Sequence, residues 1–238
     1  MTLVEKFNSI SNFLYQNDTP KVFKNFLDNY SEYVTWSDVE RIFNCHELFV
    51  EIVRDKNKID VPYGKYFWYP KMVQDKKFIF DSVNSGDTFV INQFCAYNEK
   101  INFLLKAIES TFDVVCDAHV YGSLKKESKS FHPHIDIPPN FICQIEGVTK
   151  WRLYKNRSSD LYSQGDINVN LQEDNLEIDF EVDLSPGDIL YIPARCFHGA
   201  FPSEQRLSIS IPCRHKKYNT TDTEMNLDRN YYNLNYKK

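Results

Sequence analysis

The chain has 238 residues, of which 42% are hydrophobic and 26% are charged, and its formal net charge is −5. This is enough apolar material for one domain of ordinary size, while the negative balance disfavours nucleic acid and anionic membranes as partners. No apolar run has the length of a membrane helix and the first residues lack a signal-peptide pattern, so we expect a soluble, cytoplasmic protein.

The first third of the chain is predicted to be helical. Apolar residues recur at helical spacing over residues 3–14. A second amphipathic stretch covers residues 22–30, with Thr19 as its candidate N-cap. A third helix is predicted where residues 37–40 have the spacing of a capping box. We assign residues 1–76 to a helical region that packs outside the rest of the fold.

Short apolar or alternating segments replace the helical pattern from about residue 77. Turn signals such as S-P-G-D at residues 185–188 separate them, which is typical of an all-β barrel or sandwich. One further helix is predicted between residues 97 and 112. The predicted strands are F-I-F, T-F-V-I-N, V-V-C-D-A-H-V-Y, N-F-I-C-Q-I, W-R-L-Y, D-I-L-Y-I-P and R-L-S-I-S-I. We therefore expect a mainly β core over residues 77–214 and a polar tail over residues 215–238.

The cysteines stand singly along the chain, in apolar surroundings and without a C-x-x-C pair. They are Cys45, Cys95, Cys116, Cys143, Cys196 and Cys213. This usage indicates reduced core thiols rather than a disulfide framework or a zinc site, which agrees with a cytoplasmic location.

Histidines and an aspartate cluster in the stretch S-K-S-F-H-P-H-I-D-I-P-P-N-F, at residues 128–141. Side chains alternate faces along a strand, so His134 and Asp136 can present an imidazole and a carboxylate to one point. The segment L-S-P-G-D-I-L-Y-I-P-A-R-C-F-H-G supplies His198 as a third ligand. Two histidines and one carboxylate with open positions are the ligand set of non-haem Fe(II) oxygenases. We expect His132 to shape the pocket wall rather than to bind metal.

Three segments together resemble the core of the JmjC-type cupin oxygenases. They are G-S-L-K-K-E-S-K-S-F-H-P-H-I-D, N-F-I-C-Q-I-E-G-V-T-K-W-R-L-Y and L-S-P-G-D-I-L-Y-I-P-A-R-C-F-H-G-A. Within that family they are most similar to the branch that contains the ribosomal-protein hydroxylases and their small bacterial relatives. The resemblance implies a double-stranded β-helix, a jelly-roll or cupin fold, with Fe(II) held by His134, Asp136 and His198. It also implies 2-oxoglutarate as cosubstrate and a dioxygenase reaction that releases succinate and CO2.

One position departs from the family pattern. The family commonly places a lysine or arginine two residues before the tryptophan of the G-x-x-x-W stretch, where it meets the far carboxylate of 2-oxoglutarate. Here that position is Thr149, and Lys150 would face the opposite side of the strand unless a β-bulge turned it inward. Alternatively Arg206 takes this role, with Ser208 on the same face, because an arginine fork suits a carboxylate. Loss of the cosubstrate site is the third alternative, and we favour Arg206.

Four further residues are candidates for the site. His119 and Tyr121 share a strand face, and by their position in the family they are expected to line the cosubstrate pocket. An ordinary core role is the alternative for Tyr121. Ser130 and Asn140 flank the H-x-D motif as candidate hydrogen-bond donors.

We therefore predict an Fe(II)- and 2-oxoglutarate-dependent hydroxylase whose substrate is a residue of a protein or peptide, or a small molecule. Two alternatives stay open: a cupin-like binding module without turnover, and a metal-dependent cupin enzyme that does not use 2-oxoglutarate. Homodimerisation is an expectation taken from related enzymes, and no feature of the sequence fixes it.

Overall fold

The computed structural model describes residues 1–17, 19–45, 49–65, 68, 71–126, 128, 130–131, 133–157 and 176–216. Its α-helices are α1 (Leu3–Gln16), α2 (Trp36–Phe43), α3 (Lys76–Ser85) and α4 (Glu99–Thr111). The strands that precede α4 are β1 (Lys21–Phe23), β2 (Val50–Arg54), β3 (Asn57–Ile59), β4 (Tyr63–Lys65), β5 (Met72–Gln74) and β6 (Thr88–Ile91). Those that follow it are β7 (Val114–Cys116), β8 (His119–Ser123), β9 (Asn140–Glu146), β10 (Thr149–Arg157), β11 (Ile178–Leu184), β12 (Ile189–Ile192), β13 (Cys196–Pro202) and β14 (Arg206–His215).

The strands form two main antiparallel sheets. The large sheet has the order β1-β12-β9-β14-β8-β6-β2-β3, with β7 added beside β14, and the small sheet has the order β11-β10-β13. Apolar side chains from both sheets pack into one layer, which contains Ile142, Trp151, Leu153, Leu184, Leu190, Ile192 and Cys196. Two antiparallel sheets that share a core in this way form a jelly roll. The predicted fold, a mainly β double-stranded β-helix, is confirmed.

Helices cover the large sheet through aromatic contacts. Phe7 of α1 lies 5.6 Å, between ring centroids, from Phe141 of β9. Phe43 of α2 lies 5.0 Å from Phe89 of β6, and all four rings are buried in one cluster with the apolar side of α4. Edge-to-face pairs of this kind add to the free energy gained from burying the rings. The expectation that N-terminal helices pack outside the β core is therefore confirmed.

The helix predicted over residues 22–30 is wrong. Lys21–Phe23 form β1, which pairs with the edge of the large sheet at β12. Asn25 and Asn29 then take positive φ values, of 50° and 48°, which a right-handed helix does not accommodate. The amide of Asn25 donates to the buried Asp188 carboxylate at 2.9 Å. Pairing with a distant strand thus outweighs the local helical pattern.

The segment F-I-F, for which the sequence predicts a strand, lies within α3. The side chain of Asp75 caps this helix by accepting a hydrogen bond from the Phe78 amide at 3.1 Å. Gly86 ends it in the left-handed conformation, with φ 108°. An apolar run this short fits either a helix or a strand, and the caps at both ends favour the helix.

The large sheet extends into the region predicted to be helical. β2 pairs with β6, with Ile52 opposite Phe89, so residues on both sides of position 76 belong to one sheet. The division into residues 1–76, 77–214 and 215–238 stays a prediction, and residues 217–238 of the tail lie outside the described part of the chain. Among the described helices, none has the length and apolar character needed to cross a membrane.

Candidate active site

The side chains of His134, Asp136 and His198 converge in the structure. One ligand atom from each lies within 4.8 Å of the other two. The His198 Nε2 is 3.5 Å from Asp136 Oδ2, and the His134 Nε2 is 3.9 Å from Asp136 Oδ1. Donor atoms bonded at about 2 Å to one metal ion lie about 3–4 Å apart. The donor types and their spacing therefore fit a single metal ion.

A backbone bridge brings the two histidines together. The His134 amide donates to the His198 carbonyl at 3.0 Å, and the His198 amide donates to the His134 carbonyl at 2.9 Å. His198 lies on β13, whereas residues 133–139 form no regular strand. Three of those residues are prolines, which lack the amide donor that a ladder requires. The H-x-D motif therefore meets His198 through an isolated bridge and not through the regular strand expected from alternation.

The ring of His198 is held in the form that binds metals. Its Nδ1 lies 2.9 Å from the Cys196 carbonyl oxygen, which can only accept, so Nδ1 carries the proton and Nε2 presents its lone pair. The side chain is almost completely buried. Burial, and then the proximity of His134, lower the pKa of His198 to about 4. The imidazole is therefore neutral near pH 7, as metal ligation requires.

A polar side chain fixes the carboxylate of Asp136. The Asn140 Nδ2 donates to Asp136 Oδ2 at 2.5 Å, and the Ser210 hydroxyl donates to Asn140 Oδ1 at 3.3 Å. Asn140 and Ser210 are both buried, on the neighbouring strands β9 and β14. The sequence indicated Asn140 as a donor but not its acceptor. It gave no role to Ser210, although R-L-S-I-S-I places Ser210 on the face of Arg206 and Ser208.

His134, Asp136 and His198, called the metal-ligand cluster below, open on a cavity between the two sheets. We call this cavity the inner cavity. Its other lining residues include Tyr121, Phe131, Ile142, Trp151, Arg206 and Ser208. Arg206 is 1% exposed, and its Nη2 donates to the Ser130 hydroxyl at 3.3 Å. Within the described residues, the Arg206 Nε and the Ser208 hydroxyl have no hydrogen-bond partner. Burial lowers the pKa of Arg206 to about 10, so the guanidinium stays charged at neutral pH.

This environment suits an anionic ligand. A buried positive charge without a counter-charge is costly, and a carboxylate bound beside it would offset that cost. Tyr121 adds a neutral phenol, because burial, and then the charge of Asp136, raise its pKa. The inner cavity therefore combines a metal-ligand cluster with donors for a carboxylate.

Lys150 does not reach the inner cavity. Its Nζ pairs with Glu181 at 3.2 Å on a partly exposed face of the small sheet. The register of β10 is regular from Thr149 to Leu153, so the bulge that would turn Lys150 inward is not found at this position. Thr149 is fully buried, and among the described residues its hydroxyl has no hydrogen-bond partner. Two cations were candidates for binding the far carboxylate of the cosubstrate. Arg206 lines the inner cavity and Lys150 does not.

A larger polar groove adjoins the inner cavity and shares Tyr121, Asp136 and Ser210 with it. This outer groove has a volume of about 460 Å³, and its walls include Asn92, Cys116, Asp117, His119, Asn140 and Arg214. His119 lines this groove and not the inner cavity, and its role at the cosubstrate site stays a prediction. Residue 132 lies outside the described residues.

A jelly roll that gathers two histidines and a carboxylate beside a buried cavity is the architecture of a cupin-type protein with a candidate metal site. A family model for the JmjC domain matches residues 91–221, which is more than half of the chain. The chain therefore belongs to the JmjC domain family, and the resemblance stated from its motifs is confirmed.

Several known proteins are similar to this chain over part of their length. The bifunctional lysine-specific demethylase and histidyl-hydroxylase NO66 of Drosophila grimshawi is 31% identical over 116 residues, which are 48% of this chain and 16% of that protein. The tRNA wybutosine-synthesizing protein 5 of Mus musculus is 31% identical over 109 residues, which are 40% of this chain and 35% of that protein. This chain thus spans well under half of these relatives.

Solved structures show the same fold. The structure of E. coli YcfD has a TM-score of 0.60 and 20% identity, over 82% of this chain and 49% of YcfD. A structure of YcfD, a ribosomal oxygenase, in complex with cobalt and 2-oxoglutarate has a TM-score of 0.57 and 20% identity, over 82% of this chain and 48% of YcfD.

Proposed function

We propose that this chain is an Fe(II)- and 2-oxoglutarate-dependent oxygenase that hydroxylates an unactivated C–H bond and releases succinate and CO2. The observation that carries the proposal is the buried Arg206, which lines the same cavity as the metal-ligand cluster and lacks a carboxylate partner among the described residues. A dicarboxylate could bind the metal at the cluster with one end and neutralise the Arg206 guanidinium with the other.

His134, Asp136 and His198 would hold the metal. The His198 Nε2 is available because Nδ1 donates to a backbone carbonyl. Asn140 occupies one carboxylate oxygen of Asp136, so the other, Oδ1, is directed towards His134. When bound, Fe(II) and 2-oxoglutarate supply the redox chemistry.

The polar side chains that would bind the cosubstrate come from β14 and β8. Arg206 of β14 would bind its far carboxylate, and Ser130 holds the guanidinium by accepting from Nη2. Ser208 and the neutral phenol of Tyr121 would donate further hydrogen bonds. Phe131, Ile142 and Trp151 line the same cavity with apolar surface, which excludes water from the charged groups and strengthens their interactions.

The substrate would approach through the outer groove, which reaches Asp136 from the side of Asn140. Two features support a residue of a protein or peptide as substrate. The groove is wide and polar, and it carries both an acidic and a basic side chain, Asp117 and Arg214. NO66, a relative of this chain, is named a lysine-specific demethylase and histidyl-hydroxylase. A homodimer stays a prediction.

The proposal is tested by succinate formation. We expect the protein with Fe(II), ascorbate, 2-oxoglutarate, oxygen and a cell-derived peptide mixture to form succinate, and the Asp136→Ala variant to form at least about 100-fold less. Nuclear magnetic resonance detects succinate, and mass spectrometry detects peptides that gain one oxygen atom. If metal and 2-oxoglutarate both bind but no succinate forms, the chain is a cupin-like binding module instead.

Asn140 offers a separate prediction about the metal site. Removing the amide in Asn140→Ala frees the Asp136 carboxylate to rotate, so we expect Mn(II) affinity to fall by about 10- to 100-fold. Isothermal titration calorimetry measures this affinity. Asn92→Ala is the matched control, because Asn92 lines the outer groove but is not part of the metal-ligand cluster. Equal affinities for the wild type and Asn140→Ala would contradict the role of Asn140.

A further inference from the structure

Two cysteines that are far apart in sequence meet across neighbouring strands. Cys116 ends β7, and Cys213 lies directly opposite it on β14. The Cys116 thiol donates to the Cys213 sulfur, with the two Sγ atoms 3.5 Å apart. Cys116 is half-buried and Cys213 is fully buried. The two sulfurs are therefore in contact but not bonded.

The backbone at this pair has the geometry that a cross-strand disulfide needs. The Cys213 amide donates to the Pro139 carbonyl at 2.9 Å, and the Cys116 amide donates to Glu109 Oε1 at 2.9 Å. Neither amide donates to the opposite cysteine, so this is a non-hydrogen-bonded pair of the antiparallel ladder. The Cα atoms of such pairs are about 4.5 Å apart, within the roughly 4.4–6.8 Å that a disulfide spans. The bond can form without moving the strands.

We propose that Cys116 and Cys213 form a reversible oxidation site, which closes to an intrachain disulfide when the protein meets a low-molecular-weight disulfide such as oxidised glutathione. The Cys116 thiolate attacks the oxidant, releases one reduced glutathione and becomes a mixed disulfide. The Cys213 sulfur then displaces the second glutathione. Two protein thiols lose two electrons and two protons, and one oxidised glutathione gains them to become two reduced molecules.

The surroundings of the pair set the order of these two steps. Cys116 lines the outer groove of about 460 Å³, which gives a soluble oxidant a route to its sulfur. Cys213 is 1% exposed, and burial, followed by its contact with Cys116, raises its pKa well above the ordinary value. Cys116 is therefore the first nucleophile, and Cys213 acts as the resolving thiol because it already lies beside it.

The disulfide would join β7 to β14, two strands that line the outer groove. Among the described strands, β7 pairs with β14 alone, and β14 also carries Arg206, Ser208 and Ser210. The two cysteines are 97 positions apart, so the closed loop restricts the unfolded chain strongly. We expect the oxidised protein to unfold at a temperature higher by roughly 5–10 °C.

The test uses the full chain in buffers of increasing ratio of oxidised to reduced glutathione. After each equilibration the protein is denatured, its free thiols are alkylated, and its intact mass is measured. We expect two fewer alkyl groups than on the reduced protein, a Cys116–Cys213 peptide after digestion, and full recovery of both thiols with dithiothreitol. The Cys95→Ser variant is the matched control, because the Cys95 thiol points at Asp117, and it should lose two labels as the wild type does.

Two variants show whether Cys116 and Cys213, and not other thiols, account for the lost labels. The Cys116→Ser and Cys213→Ala variants lack one partner of the bond, so each should keep an alkyl label on all of its remaining thiols or carry one glutathione. If the buried Cys213→Ala variant fails to fold, Cys116→Ser still completes the test. Three results with the wild type would overturn the proposal: six labelled thiols at every glutathione ratio, a stable glutathione adduct on Cys116 that Cys213 does not displace, or a bond between another pair of cysteines.

Discussion

Replacing His198 with alanine is expected to lower Mn(II) affinity by on the order of 1,000-fold or more. His198 supplies the most buried donor of the cluster, and its Nε2 is held neutral and aimed by the bond from Nδ1 to the Cys196 carbonyl. A water molecule in its place would lack this orientation. Isothermal titration calorimetry with Mn(II), which avoids oxidation, measures the loss.

His215→Ala is the control for this experiment. His215 is also on a strand of the large sheet, but it lies near Asp113, away from the metal-ligand cluster. The His215→Ala variant should bind Mn(II) as the wild type does. Circular dichroism and thermal unfolding show whether His198→Ala keeps the fold, since the substitution empties a buried position. A folded His198→Ala protein with wild-type affinity would exclude His198 as a ligand.

The second large effect concerns Arg206. In the presence of Mn(II), Arg206→Ala is expected to weaken 2-oxoglutarate binding by on the order of 30- to 1,000-fold, which corresponds to about 2–4 kcal/mol for a buried, charge-assisted contact. Mn(II) affinity itself should not change, because Arg206 is not part of the metal-ligand cluster. Calorimetric titration of the Mn(II)-loaded protein with 2-oxoglutarate measures the effect.

Lys150→Ala is the matched control, because it removes the other cation considered for this role. Lys150 pairs with Glu181 outside the cavity, so 2-oxoglutarate affinity should be unchanged. Arg206→Met adds a stability measurement: without ligand it should unfold at or above the wild-type temperature, because it removes a buried charge that has no ion-pair partner among the described residues. Loss of affinity in Lys150→Ala, with none in Arg206→Ala, would reverse the assignment.

Motifs with a fixed chemical meaning could be predicted from the sequence. H-x-D followed by a distant histidine indicated the metal-ligand cluster, and strand alternation placed Arg206 and Ser208 on one face. These predictions depend on local spacing and on strand alternation, which the sequence contains. The structure brings the side chains together as expected, although their roles as ligands stay predictions.

Other features depend on residues that are distant in sequence. The stretch that forms β1 has a helical pattern, and only its pairing with β12 makes it a strand. The hydrogen bond from Ser210 to Asn140 and the contact of Cys116 with Cys213 arise where β9 and β7 pair with β14. No local pattern specifies such pairings. The sequence therefore predicts isolated core thiols, whereas the register of β7 against β14 brings two of them into contact.

Anaerobic addition of Fe(II) to the purified protein with 2-oxoglutarate, followed by visible absorption, tests directly whether the metal and the cosubstrate bind in one cavity. A chelate of the two gives a weak metal-to-ligand charge-transfer band. We expect the band in the wild type, its absence in His198→Ala, and its appearance in Arg206→Ala only at much higher 2-oxoglutarate concentration. Fe(II) bound to the wild type without this band at any 2-oxoglutarate concentration would show that this cavity does not hold the metal and the cosubstrate together.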